Sequence, residues 1–485
     1  MTTYYVRKDG NDTTGNGSTG TPWLTIHKGL ASIAAGDTLL IGDGTYAENS
    51  GSGYLNIAKN AASQIIIAAE LGAAGNVIIV GTAGSYNTMV NGTSANLTFR
   101  YIKFGAIAGS SYPFRIRLQA TNIALEDCTF IPANGCVASF FVYTDTATIT
   151  NVTFTRCDFQ KPAVGAAHVC VDLHCLGTGA IAGMTFTDCT IDSISYGVRL
   201  DNFDNTTFTN CTIRSLSRGV TFDNLPDATA FVNCTITGGA EGVWVNGATH
   251  LSFTGGSISN TGATHCALFG VDGEVGGLAT TVTITGTRIV HRTDVAGHGL
   301  ILGDGCTGCV VDGVYVPAGY DHGIVLKECN TNEVKNSISH AGAGTATSAA
   351  LYCKAAVNAN CHNNRLYAAQ GFAFRLLVGG TGNKCQNVTF KNNTLFGSGA
   401  GRLFQWGTAA DDAGGGVCDY NIYKPGGSGK FGIVWADNDV QTLAELRNAW
   451  NGYDVAGNDA NSRLWSDGGI TVLLAKRSGR GKLRF

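Results

Sequence analysis

Proline is nearly absent from this sequence, 7 in 485 residues, and charge is thin, with Lys, Arg, Asp and Glu together at 14%. No G-X-Y period accompanies the little proline there is, which excludes a collagen triple helix. A coiled coil or helical bundle needs charge-bearing Ala/Glu/Lys/Leu heptads, and the charge for them is missing. The balance is −3 with pI ≈ 6.4, which speaks against a strongly basic nucleic-acid binder. No apolar run approaches the roughly 20 residues that cross a bilayer, so no membrane insertion is expected. The opening MTTYYVRKDGNDTTG lacks the hydrophobic stretch of a signal peptide. No Pro-rich stretch, long Ser/Gly tract or block of one charge marks a linker. Disorder is excluded by an apolar share of 44%.

Glycine is what the chain has in excess: 67 residues, as many as the 32 basic and 35 acidic side chains together. The outcome is a large, turn-rich protein with much apolar surface to bury, and hence a β protein. Sixteen cysteines without a signal sequence read as reduced thiols made in a cytoplasm rather than as a disulfide framework.

Internal repetition gives the architecture. TFTRCDF (153–159), TFTDCTI (185–191), TFTNCTI (207–213) and AFVNCTI (230–236) are near-copies, preceded by ALEDCTF (124–130). SFTGGSI (252–258), TITGTRI (283–289), VVDGVYV (310–316), EVKNSIS (333–339), CHNNRLY (361–367) and TFKNNTL (389–395) continue the series more loosely. Phe186, Cys189 and Ile191 alternate inward, and a small polar residue or Gly marks the bend. A second short strand follows: GVRLD (197–201), GVTFD (219–223), GVWVN (242–246), GLILG (299–303) and GIVLK (323–327). Two or three short strands per roughly 22-residue repeat, about a dozen times over, make a right-handed parallel β-helix, an all-β solenoid. In it Cys157, Cys189, Cys211 and Cys234 stack as an internal ladder, each of the last three preceded by Asp188, Asn210 or Asn233. Packing is the simplest role for these thiols, with disulfide or metal roles as alternatives. Gly197, Gly219 and Gly242 are read as bends between strands.

Both ends carry further signals. Residues 4–48 combine a YYV strand, an Asp-Gly turn, Thr-Pro-Trp before a short helix, and Gly36-Asp37-Thr38 followed by Gly44-Thr45-Tyr46. DYNIYKPGG (419–427), TLAELRNAWNGYDVAGNDANS (442–462) and LLAKRSGRG (473–481) close the chain. With the repeats between them, these segments resemble pectate-lyase-like β-helix proteins, the superfamily of polysaccharide lyases and phage tailspikes. The expected organisation is residues 1–50 as an N-terminal strand and capping helix, 51–424 as the β-helix, and 425–485 as a C-terminal cap with a basic tail. Short amphipathic helices over 25–35 and 442–450 would cover the open ends of the core. Trp406, Trp435, Trp450 and Trp465 are read as packing for the cap, with glycan stacking as the alternative. The tail residues Lys476, Arg477, Arg480, Lys482 and Arg484 form a solvated end or a dock for an acidic partner.

Two familiar motifs are discounted. Gly303 to Gly308 spells G-x-G-x-x-G, but a β-type segment follows it, so a dinucleotide phosphate finds no helix N-terminus. Cys306 and Cys309 have no second C-x-x-C pair to complete a zinc site and read as a turn between coils.

The informative positions come from aligning the second strands. With Val198 and Leu200 inward, Arg199 and Asp201 face out, and HVCVDLH (168–174) then turns His168, Cys170, Asp172 and His174 outward. Stacking gives two outer columns, Asp172–Arg199–Thr221–Trp244 and His174–Asp201–Asp223–Asn246. Close carboxylates supply an acid and a base for glycoside hydrolysis. For β-elimination of a uronate, Arg199 would neutralise the substrate carboxylate and His174 abstract the proton. Trp244 offers a flat face to a sugar ring, with Thr221 and Asn246 as further binding residues. Asp172, His174, Arg199, Asp201 and Asp223 are therefore the catalytic candidates, against the alternative of a plain solvated strand face. No metal site is expected, since alternate residues on a flat strand do not wrap an ion. Calcium enters only on the lyase reading.

Three functions follow. The first is a phage virion-associated spike that recognises, and on the catalytic reading degrades, a host surface polysaccharide. It would be made in the host cytoplasm, form a homotrimer as the resemblance implies, and attach to tail or capsid proteins. The second is a bacterial polysaccharide lyase or glycoside hydrolase, which is extracellular. The third is a non-catalytic capsid or tail decoration protein.

Overall fold

The computed structural model describes residues 1–406 except 51–52, 83–85, 92, 108, 110, 118–119, 145–148, 165–167, 176–180, 224–226, 263, 271–278, 291–296, 343–345, 378–383 and 399; beyond them it describes 417–419, 421–425, 432–434, 438–440, 463–466 and 469–471. The chain forms two compact units, Met1–Thr261 and Gly262–Phe485. Both are built as right-handed parallel β-helix. Each coil contributes one strand to each of three parallel sheets, here called I, III and II in the order the chain visits them.

One coil of the first unit shows the construction. Ile181–Thr187 lies in sheet I, Thr190–Ser193 in sheet III and Tyr196–Asp201 in sheet II. Thus the repeat TFTDCTI is two strands, not one, with the break at Asp188. That residue takes φ 55°, as do its counterparts Asp127, Arg156, Asn210 and Asn233 within a few degrees. Asn and Asp tolerate this left-handed region better than other chiral residues, so the polar residue before each cysteine is what turns the chain from sheet I to sheet III. The cysteine then points inward, and its thiol donates to a carbonyl of an earlier coil: Cys157 to Leu125, Cys189 to Phe154, Cys211 to Phe186 and Cys234 to Phe208, at 3.4–3.6 Å. All sixteen cysteines are buried and none is in a disulfide.

Sheet I supplies the core's main ladder. Phe154, Phe186, Phe208, Phe231 and Phe253 stack ring on ring at 4.6–5.0 Å with planes within 7°. That spacing is the distance between neighbouring strands, so identical residues in register meet face to face. Each buried ring contributes roughly 1.5–3 kcal/mol by leaving water, and each stacked pair about 0.5–1.5 kcal/mol more.

At the N-terminus, helix Ile26–Ser32 packs where capping was expected, although it is shorter than residues 25–35. Thr25 caps it by accepting from the Lys28 amide at 3.2 Å. The buried Glu48 carboxylate accepts from the Ile26 and His27 amides at 2.8 and 3.0 Å, covering donors that a helix start leaves unpaired. Ile26, Gly29 and Leu30 form the buried face, and Gly29 sits tightly on Val6 and Leu39.

In the second unit the cysteine position passes to asparagine. The backbone N–H and side-chain NH2 of Asn364 both donate to Asn393 Oδ1, and those of Asn393 both donate to Asn421 Oδ1, at 2.9–3.2 Å. This internal amide ladder satisfies buried polar groups coil by coil. The G-x-G-x-x-G segment is followed by strand Val310–Asp312, as expected, and Cys306 and Cys309 are buried packing residues. The described chain ends in antiparallel strands: Gly432–Val434 with Asn438–Val440, and Arg463–Ser466 with Gly469–Thr471. Trp406 and Trp465 lie on strands. The expected helix over 442–450, Trp435, Trp450 and the basic tail lie outside the described residues. No helix of the described residues is long and apolar enough to cross a membrane.

Candidate functional site

The site is the outer face of sheet II in the first unit. Here the strands Val169–Cys175, Tyr196–Asp201, Arg218–Asp223 and Val243–Asn246 pair in parallel. Their register is Asp172 to Arg199 to Thr221 to Trp244 and, alongside, His174 to Asp201 to Asp223 to Asn246. All eight sequence-derived candidates therefore stand in the two columns expected of them.

His168 and Cys170 do not join them. The strict alternation expected for HVCVDLH fails because two consecutive residues, Cys170 and Val171, both turn inward, while Val169 faces out beside Tyr196. Cys170 is fully buried and its thiol donates to the Phe159 carbonyl at 3.4 Å. His168 is buried between the Ser139 and Ser193 hydroxyls at 3.0 and 3.2 Å, and burial pushes its imidazole down to about 4. The same out-in-in-out step explains the glycine of each GV pair. Gly197 lies within its strand, and a Cβ there would stand 2.5 Å from the Gly219 carbonyl and 2.6 Å from Ile213. Close packing, not a bend, excludes a side chain at this position.

The candidate side chains are not a solvated face. Asp172 is 5% and Asp201 4% exposed. His174 Nε2 lies 2.5 Å from Asp201 Oδ2. Arg199 spans two carboxylates, donating to Asp201 and Asp223 at 3.2 Å each. Among the described residues, Asp172 Oδ1 has no hydrogen-bond partner, and neither has the buried Thr221 hydroxyl. Burial is the chief cause that lifts the Asp172 carboxyl to about 6, with Arg199 and His174 pulling the other way and Asp201 and Asp223 reinforcing it. The cluster thus separates its carboxyls by environment. One keeps its proton up to about pH 6, and two are fixed beside a guanidinium.

Sequence reasoning missed the neighbours that line this face. Tyr86 and Tyr112 stack at 5.7 Å, Tyr112 and Phe141 at 4.5 Å, and Tyr54 meets Tyr86 edge-on at 6.2 Å. The buried Arg115 guanidinium lies over both Tyr86 and Phe141, at 4.5 and 5.1 Å. Phe141 is in register with Asp172, so the aromatic run continues directly into the acid. The signal was the spacing Tyr-x-x-Arg, present as Tyr112/Arg115 and again as Tyr196/Arg199, which marks the out-in-in-out step. Trp244 is half-buried, and one face of its ring carries the Arg218 guanidinium at 4.0 Å, itself paired with Glu241.

Calcium does not suit these residues. The space between Asp201 and Asp223 is spanned by Arg199, whose charge takes the place a cation would need.

The family model described as "Right handed beta helix region" matches residues 171–338 and 224–413, together half of the chain, and the protein belongs to that family. No curated protein matches it. Among solved structures it is similar to the A-module of the Azotobacter vinelandii mannuronan C-5 epimerase AlgE4, at 13% identity, 82% of this chain, 87% of that chain and TM-score 0.32. It is also similar to a mannuronic acid-specific polysaccharide family 6 lyase from human gut microbiota (12%, 93% and 90%, TM-score 0.38). A third is the Dettilon tailspike protein gp208 (12%, 89% and 68%, TM-score 0.39). The functional reading therefore rests on this chain's own side chains.

Proposed function

We propose that the outer face of sheet II in the first unit binds a polysaccharide and hydrolyses it. The observation that carries this reading is Asp172: a buried carboxyl lifted to about 6, its Oδ1 without a hydrogen-bond partner among the described residues, set between an aromatic run and the Arg199–Asp201–Asp223 cluster. Such a group gives up a proton near neutral pH, which is what protonation of a glycosidic oxygen needs. Asp201, oriented by His174 and Arg199, is the base that takes a proton from water. Asp172 and Asp201 are one coil apart and two residues apart along the strand. Side chains leave one strand face in parallel, so the carboxyls are separated by roughly 8 Å, the span of inverting rather than retaining hydrolysis. The edge of the half-buried Tyr112 ring and the face of Trp244 opposite Arg218 offer apolar contact to sugars, and Thr221 and Asn246 offer hydrogen bonds.

The His174–Asp201 pair also favours a second reading, β-elimination with His174 as base. Against it, Arg199 is already engaged by two carboxylates rather than by a substrate's. No calcium step is included in either reading, for the reason given by Arg199. Sixteen buried cysteines outside any disulfide suit synthesis in a reducing compartment. With it goes our reading of the protein as a virion-associated, tailspike-like spike that leaves its host by lysis, as a homotrimer attached to tail or capsid proteins. A secreted bacterial enzyme is the alternative location.

The test is a panel of acidic and neutral polysaccharides, read for new reducing ends and for the ultraviolet absorbance of unsaturated uronate, with sedimentation for the oligomer. Reducing ends without the chromophore support hydrolysis, and reducing ends with it support elimination. Neither product from any polysaccharide would leave a decoration protein. A strict monomer would remove the spike assignment.

A further inference from the structure

The second unit has its own cavity on sheet II, of about 300 Å3, lined by His298, His322, Lys327, Tyr352, Lys354 and Arg375 among others. That volume is at the lower end for small-ligand sites and takes one or two sugar rings. Its walls come from the parallel strands His298–Leu302, His322–Lys327, Ala349–Lys354 and Phe372–Leu377. Register sets Lys327 directly beside Lys354, and Tyr352 beside Arg375.

Two ammonium groups side by side on neighbouring strands repel each other, an arrangement that costs stability unless an anion sits between them. Lys327 has Asp304 at 3.9 Å, but Lys354 makes no ion pair among the described residues. The Arg375 guanidinium is held in place by Gln405 and the Thr347 carbonyl at 2.6 and 2.7 Å, with its centre 5.2 Å from the Tyr352 ring. His322 Nδ1 accepts from the Ala349 amide at 2.8 Å, so its proton is on Nε2, where it serves as a donor. The imidazoles of His298 and His322 and the Tyr352 ring follow one another in a column of tilted rings, with centroids 4.7–4.8 Å apart.

His298, Asp321 and His322 could together hold a metal, since their ligand atoms lie within 4.8 Å of one another. The charge around them argues otherwise. Arg375 and Lys354 both act on His322 as like charges would, and three cations lining one cavity disfavour a fourth. We propose that this cavity is a subsite for one acidic sugar of the polysaccharide, with its carboxylate between Lys327 and Lys354 and its ring against Tyr352. It rests on the glycan reading only in taking the anion to belong to a sugar.

The probes are tetragalacturonate, tetramannuronate, the carboxyl-reduced form of each, inorganic sulfate and Zn2+, titrated calorimetrically into the full chain. At least one uronate should bind, and its reduced form about tenfold or more weaker, since a charge-assisted contact is lost. Lys354→Met should weaken the uronate by a similar factor, and Lys354→Arg should recover most of it. Asp172→Asn should leave this binding unchanged while removing cleavage, so failure here and failure of the proposed hydrolysis are told apart. The proposal is overturned if neither uronate binds, if Lys354→Met binds as the wild type does, or if sulfate alone binds. It is equally overturned if Zn2+ binds and His298→Gln removes it.

Discussion

Replacing Asp172 with Asn should stabilise the protein above pH 6 while abolishing its cleavage of polysaccharide. The magnitude follows from the carboxyl's position. Its ordinary value of 3.8 is lifted to about 6 in the folded chain, chiefly by burial. A gap of that size is worth about 3 kcal/mol. The sign is that of a raised acid: the folded state holds the proton that the unfolded state releases, so stability falls as pH rises from about 4 to about 6 and stays reduced above. Asn has nearly the shape of the protonated carboxyl and cannot ionise. At pH 8 the variant should therefore gain up to about 3 kcal/mol, which for the unit Met1–Thr261, at just under about 2 °C per kcal/mol, is a melting-point rise of roughly 5 °C. At pH 4 the same comparison should shrink to well under ~1 kcal/mol, because wild-type Asp172 is then protonated. Thermal unfolding of both proteins at the two pH values is the assay. A variant equally destabilised at pH 4 and pH 8 would refute the reasoning, since Asp172 would then be an ordinary structural acceptor. Gain of stability together with loss of turnover is what a residue strained for function shows.

Other expectations follow from the same structure. Arg199→Met leaves Asp201 and Asp223 facing each other. With Arg199 31% exposed, the loss should be about 2–3 kcal/mol at pH 7, below the range for fully buried pairs, and smaller at pH 4 in urea unfolding. Phe208→Ala removes a ring stacked on both sides and should cost about 3–5 kcal/mol in the same assay. Tyr112→Ala, away from the acid, should raise KM for the cleaved polysaccharide several-fold with little change in kcat; an effect confined to kcat would place Tyr112 in the chemistry instead. A thiol reagent should find sixteen reactive cysteines in denaturant and almost none in the folded protein.

The repeats made much of this legible. A Phe, then Asp or Asn, then Cys at fixed spacing already implied stacked rings, a turning residue and a buried thiol, because one coil repeats the environment of the last. The register of Asp172, Arg199, Thr221 and Trp244 followed from aligning the GV pairs. What period-two alternation could not show was the step at Cys170 and Gly197, where two successive residues turn inward and shift everything upstream by one. That step sent His168 to the interior and turned Val169 and Tyr196 to the outer side of the sheet, where Val169 is buried against Phe141 and Tyr196. It also hid Tyr86, Tyr112 and Phe141, whose strands lack the GV marker. The burial of Asp172 escaped the sequence for another reason. It is produced by neighbours from other coils, which no single strand records. In the second unit, the basic cavity joins Lys327, Lys354 and Arg375 from three successive coils, a set that only the register brings together.

A proton delivered by Asp172 to a glycosidic oxygen must leave its mark on the rate of reducing-end release against pH, measured for wild type and Asp172→Asn on a polysaccharide the protein cleaves. The wild-type rate should fall as pH rises past about 6, the value at which Asp172 loses its proton, and the variant should give no measurable release. Release by Asp172→Asn at the wild-type rate, or a wild-type rate that keeps rising through pH 8, would contradict it.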